Sequence, residues 1–157
     1  MKKVLTILIT MVSIGLTACA SMPIAKDEGE AKVVQSFAPV ADKGVVYVYY
    51  DIDTQYAAYV LPVSIGDKGT VDTNALGYAR VETNPGQYEV DVHTSEVTAS
   101  IQTAQLTVKA GDVKFVRIKL IARPLIGAKG SVVEVSSDEA IAEIKKRKLT
   151  PLKLAQL

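Results

Sequence analysis

Cys19 and His93 are the single cysteine and the single histidine of the chain, the residue types that most often carry nucleophilic or metal chemistry. Cys19 has no partner for an internal disulfide, and no histidine, aspartate or second cysteine flanks it as in a zinc site. A serine and a glutamate follow His93 two and three residues on, but no nucleophile-elbow pattern surrounds any serine. The sequence therefore predicts a solvated His93 and no catalytic residue, metal site or cofactor, so the protein is not expected to be an enzyme.

Two short segments have the residue types of ion-binding or phosphate-binding loops. Asp51-Ile52-Asp53 begins like an EF-hand loop, but the glycine expected at the sixth position and the glutamate at the twelfth are missing. Residues 127–131 are rich in glycine around one lysine, yet the Gly-Lys-Ser/Thr ending of a phosphate loop is absent. We interpret the first segment as an acidic turn and the second as a loop.

The first residues have the layout of a secretory signal peptide. Lys2 and Lys3 precede an uncharged stretch, residues 4–25, whose most apolar part extends to Leu16 and is shorter than the ~20 residues of a membrane span. Small residues then lead into the cysteine, as Leu16-Thr17-Ala18-Cys19, which resembles the lipobox of bacterial lipoproteins. The resemblance implies removal of residues 1–18 and a diacylglycerol on the Cys19 thiol. An uncleaved anchor with a buried, inert Cys19 is the alternative.

Acylation of Cys19 would make a lipid bilayer the first partner of the protein. One acyl chain gives only marginal membrane binding, whereas the two chains of a diacylglyceryl group give stable anchoring. Ala20 stands where an aspartate would resemble the inner-membrane retention signal of Gram-negative lipoproteins. The resemblance therefore implies an outer-membrane lipoprotein whose domain faces the periplasm.

The remainder of the chain is expected to form one domain. Removing residues 1–18 from 157 leaves 139, enough for a core without a disulfide or a metal. The net charge of +1 provides no basic field for nucleic acid. Composition predicts a lipidated tether over residues 19–43, a folded domain over 44–150 and a tail over 151–157.

Short strands with turn signals begin at Val45. Residues 45–50 are β-branched or aromatic throughout, which predicts a strand buried on both faces. Tyr88, Val90 and Val92 alternate with polar residues, which predicts a half-buried strand. Pro62 indicates an edge strand or a bulge within residues 59–65. Further strands are predicted over residues 78–83, 101–110, 113–122 and 130–136, and a short strand followed by a turn is predicted within residues 69–77.

The pattern at the end of the domain predicts a helix. Ser136 is a candidate N-cap whose capping box Glu139 would complete, and Ala140, Ile141 and Ile144 form an apolar stripe. The predicted fold is mainly β: an antiparallel β-sandwich with one C-terminal α-helix.

Two groups of residues form a candidate interaction surface. Alternation places Tyr47 and Tyr49 on one face of their strand, and tyrosine suits an interface because it has an apolar body and a polar tip. The alternative is that these tyrosines fill the core of a chain without tryptophan. The second group is a basic run at the helix end, which would contact lipid headgroups or anionic envelope polymers, or would only complement the helix dipole. The run consists of Lys145, Lys146, Arg147 and Lys148.

The order of these motifs resembles the domain of unknown function 2846 family of small bacterial lipoproteins. The shared features are the lipobox, VVYVYY at 45–50, NPGQYEV at 84–90, VKAGDVKFVRIKL at 108–120 and SSDEAIAEIKKRKL at 136–149. The chain departs from the family where Tyr50 replaces a common arginine and where Gly66-Asp67-Lys68-Gly69 replaces an Asp-Gly turn. The resemblance implies a compact β-sandwich similar to prealbumin or PEGA domains, and it implies no established activity.

The expected function is therefore that of a membrane-anchored envelope lipoprotein with a non-catalytic interaction or structural role, with an envelope protein as candidate partner. One alternative resembles the transthyretin-like lipoprotein that anchors a secretion apparatus. A small envelope hydrolase is the third hypothesis, which a deep cleft at His93 would favour.

Overall fold

The computed structural model describes residues 24–52, 60–67, 69–93, 99–123 and 127–156, and Cys19 lies outside these ranges. Within them the chain forms two helices and ten strands. The helices are α1 (Glu28–Gln35) and α2 (Ser137–Lys146). The strands are β1 (Gly44–Ile52), β2 (Val60–Ile65), β3 (Thr70–Asn74), β4 (Gly77–Thr83), β5 (Gly86–Val92), β6 (Ala99–Gln102), β7 (Ala104–Val108), β8 (Val113–Arg123), β9 (Gly127–Val135) and β10 (Thr150–Gln156).

The strands form two sheets. The first has six strands in the order β10-β4-β1-β8-β9-β6, and the second has four in the order β3-β2-β5-β7. All pairs in the second sheet are antiparallel, whereas β1–β8, β4–β10 and β6–β9 are parallel pairs in the first. The prediction of a mainly β fold is confirmed. The prediction of wholly antiparallel pairing is wrong for these three pairs. One helix was predicted, whereas the described residues form two.

One hydrophobic core contains side chains from both sheets. Val46, Val48 and Tyr50 lie in this core because alternate side chains of β1 point to the same face of the sheet. The partners from the four-stranded sheet include Leu61, Val63, Ile65, Tyr88, Val90, Val92, Leu106 and Val108. The predicted inward face of β5 is confirmed.

A second core cluster covers the outer face of the six-stranded sheet, the face turned away from the four-stranded sheet. Val34 of α1 and Ala140 and Ile144 of α2 pack there against aromatic side chains of the sheet. The prediction that β1 is buried on both faces is confirmed, because residues 45–50 are all 0% exposed. The sheet residues of this cluster are Val45, Tyr47, Tyr49, Tyr78 and Phe115.

The N-cap of α2 is confirmed, but only half of the predicted capping box forms. The Ser136 hydroxyl accepts a hydrogen bond from the Glu139 amide at 3.3 Å. The Glu139 carboxylate accepts instead from Arg117 on β8, at 2.8 Å. A cross-element ion pair therefore takes the place of the reciprocal bond to the Ser136 amide.

The predicted tether folds in part onto the domain. Asp27 caps α1 by accepting from the Glu30 amide at 2.8 Å, and Val34 is fully buried. The Glu30 carboxylate accepts from the Leu154 amide of β10 at 2.9 Å, and its bonds to backbone amides lower the pKa of Glu30. The segment predicted as a tether over residues 19–43 therefore contains a helix that packs on the domain.

The predicted tail is a strand of the six-stranded sheet. β10 pairs with β4 in parallel, with Pro151 opposite Tyr78. Gly77 makes room for this strand, because a Cβ atom there would lie 2.5 Å from the Leu152 side chain. The prediction of a tail over residues 151–157 is thus wrong over the described part.

The predicted edge position of Pro62 is also wrong, because its strand β2 lies between β3 and β5.

Candidate functional site

Tyr47 and Tyr49 are fully buried, each 0% exposed, so their predicted exposure is wrong. Both rings lie on the outer face of the six-stranded sheet, beneath the helices. The Tyr47 ring centroid is 5.0 Å from that of Phe37 and 5.1 Å from that of Phe115. These tyrosines belong to the core and offer no contact surface to a partner.

A buried arginine side chain lies beside Tyr47, and the sequence analysis did not predict it. Arg80 is 2% exposed and lies opposite Tyr47 in the β1–β4 register. Its guanidinium donates to the Tyr47 hydroxyl and to the Ala38 carbonyl, both at 2.9 Å, and pairs with Glu82 at 3.0 Å. Burial raises the pKa of Tyr47, although Arg80 opposes the shift. The spacing Arg80-Val81-Glu82 places both charges on one strand face, which is the sequence signal for this pair.

Tyr49 joins a polar network that attaches α2 to the sheet. Its hydroxyl donates to the Glu143 carboxylate at 2.6 Å, and Arg117 donates to Glu139 and Glu143 at 2.8 Å each. Burial, with the neighbouring Glu143 carboxylate, raises the pKa of Tyr49. Because these charges are paired with one another, the network positions the helix and presents no reactive group.

We expect Tyr49→Phe to lower the free energy of unfolding by about 1–2 kcal/mol, because the ring is kept and the hydrogen bond to the Glu143 carboxylate is lost. Tyr50→Phe is the matched control on the same strand. The Tyr50 hydroxyl is buried without a hydrogen bond of normal geometry among the described residues. Burial raises the pKa of Tyr50, and the nearby Thr73 hydroxyl opposes the shift. Removal of the Tyr50 hydroxyl should leave stability unchanged or raise it. Urea denaturation measures both, and equal losses would contradict the assigned role of the Glu143 bond.

The remaining sequence candidates do not meet in one place. His93 is exposed directly after β5, and its amide donates to the Pro62 carbonyl at 2.9 Å. The Asp51 carboxylate lies 3.7 Å from the Arg147 guanidinium, while Asp53 is outside the described residues. Residues 127–131, interpreted from sequence as a loop, are instead the first half of β9.

An uncovered area, here named the open sheet face, lies on the outer face of β8 and β9 beyond the reach of α2. It consists of Lys119, Ile121, Lys129, Ser131 and Val133. Ile121 is 51% and Val133 is 43% exposed. A shallow pocket of about 240 Å³ lies here, lined by four of these residues together with Gln102 and Gly130. Cations beside exposed apolar side chains suit contact with a partner. Among the described residues, the Ser131 hydroxyl of the lining has no hydrogen bond to a lysine that would activate it.

The basic run at the end of α2 is divided by the fold. Lys145, Lys146 and Lys148 are exposed, whereas Arg147 is half-buried. The Arg147 guanidinium donates to the Tyr50 carbonyl of β1 and lies near Asp51. Arg147 therefore fastens the helix end to the sheet, and the three lysines project into solvent.

Within the described ranges, no three histidine, cysteine, aspartate or glutamate side chains come together as a metal-binding group. In the same part of the chain, neither helix is long and apolar enough to cross a membrane. Comparison with protein-family models found no matching family, and comparison with curated proteins found no match. The resemblance to the domain of unknown function 2846 family thus stays a prediction from the quoted motifs.

Proposed function

We propose that the protein is an envelope lipoprotein, anchored by an acylated Cys19, whose folded domain binds another envelope component without catalysis. The observation that carries this proposal is the sequence Leu16-Thr17-Ala18-Cys19 after a basic and then apolar start. Every described strand and helix follows Cys19, so cleavage before that residue leaves them intact. Ala20 supports an outer-membrane location with the domain in the periplasm.

The non-catalytic role is supported by how the described polar side chains are used. Arg80, Arg117 and their carboxylate partners are satisfied within the fold, and the shallow pocket on β8 and β9 is not lined by His93. The open sheet face, with Ile121 and Val133 exposed between lysines, is the contact area we propose for a protein partner.

We further propose that the two sheets and their shared core form a sandwich related to prealbumin and PEGA domains, as the domain of unknown function 2846 resemblance implies. A secretion-apparatus anchor of transthyretin-like fold would share these features. That alternative rests on fold and lipidation, which do not determine function. No contact among the described residues favours it.

The test of the lipoprotein proposal is intact-mass spectrometry of the protein extracted from membranes of the expressing bacterium. We expect a mature chain that begins at Cys19 and carries a diacylglyceryl group, and incorporation of labelled palmitate into that residue. A membrane-bound chain that retains residues 1–18 and carries no lipid would overturn the proposal.

Membrane crosslinking with a photoreactive residue at Ile121, compared with one at the exposed Thr107 of β7, then tests the open sheet face.

A further inference from the structure

The N-terminal part of the described chain meets the domain at one edge of the six-stranded sheet. Ile24 forms an antiparallel bridge with Leu152 of β10, and β10 is an edge strand of that sheet. A few residues later the Glu30 carboxylate holds the Leu154 amide at 2.9 Å. The segment that leads away from Cys19 is therefore fixed to the domain along β10.

This attachment shortens the connection between the proposed anchor and the domain. Cys19 and Ile24 are five residues apart, and an extended chain spans about 3.3–3.6 Å per residue, so at most ~18 Å separates them. A free tether extending to residue 43 would have allowed several times that distance. The β10 edge must consequently lie close to the membrane surface if Cys19 is acylated.

The basic end of α2 leads directly into this edge strand, since the helix ends at Lys146 and β10 begins at Thr150. The helix begins directly after β9, and Arg147 contacts Tyr50 of β1, which is two strands from β10. Lys148 then has a positive φ of 52°, and the Leu149 amide donates to the Ile144 carbonyl at 3.1 Å, which turns the chain into β10. At a strand spacing of about 4.8 Å, Ile24 is roughly 14 Å across the sheet from Tyr50.

We propose that Lys145, Lys146 and Lys148 lie against the anionic headgroups of the bilayer that holds Cys19, so that the domain is docked on the membrane by its β10 edge. This inference rests on the proposed lipid anchor and adds an orientation to it. Acyl chains combined with a cluster of cations are a recognised pair of membrane-binding signals, and attraction to anionic lipid acts within about a Debye length, ~8–10 Å.

Charges at the β10 edge favour the α2 end as the contact. The exposed acids Asp27 and Glu28 follow Ile24 closely, and a bilayer would repel them. Lys26 balances one of these two negative charges. The end of α2 presents three exposed lysines, which anionic headgroups would attract. The open sheet face lies three strand spacings from β10 on β8 and four on β9, about 14–19 Å across the sheet, and stays free for a protein partner.

The test uses the full-length lipidated protein in vesicles of phosphatidylcholine, with or without an equal amount of phosphatidylglycerol. Because Cys19 is the single cysteine and is acylated, one engineered cysteine can carry a fluorophore. The exposed Thr150→Cys reports the β10 edge, and Val133→Cys reports the open sheet face. Headgroup-nitroxide lipids should quench the Thr150 label severalfold more than the Val133 label in anionic vesicles, because nitroxide quenching requires near contact with the headgroups.

A charge-matched pair of variants isolates the lysines. We expect Lys145→Gln, Lys146→Gln and Lys148→Gln together to abolish the extra quenching at Thr150. The triple replacement of Lys109, Lys119 and Lys129 by glutamine should preserve it, because these exposed residues lie away from β10.

Each outcome decides between the two proposals. Equal quenching at both positions, or a contrast that survives removal of the three α2 lysines or the anionic lipid, would overturn the docking and leave the lipid anchor intact. Loss of vesicle co-flotation together with an unmodified Cys19 mass would overturn both.

Discussion

The Cys19→Ser variant should be lost from the membrane pellet and recovered in the soluble fraction. The proposed diacylglyceryl group depends on the Cys19 thiol, and no second cysteine can replace it. Two acyl chains contribute about 0.8 kcal/mol for each buried CH₂. Summed over both chains, this is far more than three lysines supply at about 1 kcal/mol each. Fractionation followed by a high-salt wash measures the change.

Ser21→Ala, two residues from Cys19, is the control and should remain in the pellet. The triple glutamine variant of the α2 lysines should also remain there, because it retains both acyl chains. A Cys19→Ser chain that stays in the pellet through the salt wash at its unprocessed mass would contradict the lipoprotein proposal. Membrane binding would then belong to the apolar stretch that begins at Val4.

The Val90→Asp variant should lose about 4 kcal/mol or more of unfolding free energy, which is a large share of the roughly 5–15 kcal/mol of an ordinary domain. Val90 is 0% exposed in the core between the two sheets, where it pairs in register with Ile65 and Ala104. A carboxylate at this position would be buried among aliphatic side chains without a charge partner. Denaturant unfolding monitored by circular dichroism measures the loss.

Asp91→Val is the matched control, since it changes the neighbouring residue in the opposite direction. The Asp91 side chain is only half-buried and bonds to the amide of Val92 at 2.7 Å. Its replacement should stay within ~1 kcal/mol of the original stability. Equal losses in the two variants would mean that the inward face of β5 is misassigned by one residue.

Local patterns were sufficient to predict most elements of the fold. The alternation of Tyr88, Val90 and Val92 identifies the buried face of β5, because side chains of a strand point to opposite faces with period two. Ser136 identifies the start of α2 because a hydroxyl there satisfies a free amide of the first turn. Both signals depend only on residues a few positions apart.

Pairing between distant strands was not predictable in the same way. Residues 101–110 read as one alternating strand, yet the chain divides at Thr103 into β6 and β7, which belong to different sheets. Ile101 packs on the core and Gln102 is exposed, so the alternation shifts by one residue at the division. The parallel pairs of β1 with β8 and of β10 with β4 also depend on the whole packing, because a hydrophobic pattern marks a buried face without naming its neighbour.

The sequence by itself determined the candidate acylation residue Cys19, the mainly β class and the shared strand face of Tyr47 and Tyr49. Only the tertiary structure decided that α1 and α2 cover the face of Tyr47 and Tyr49, and that the predicted tail is a strand. It also decided that the Ile24 segment is bridged to the edge strand β10, into which the basic end of α2 leads. Alternation records the two sides of a strand, but what covers each side depends on residues far away in the chain, which meet only when the apolar surfaces are buried together.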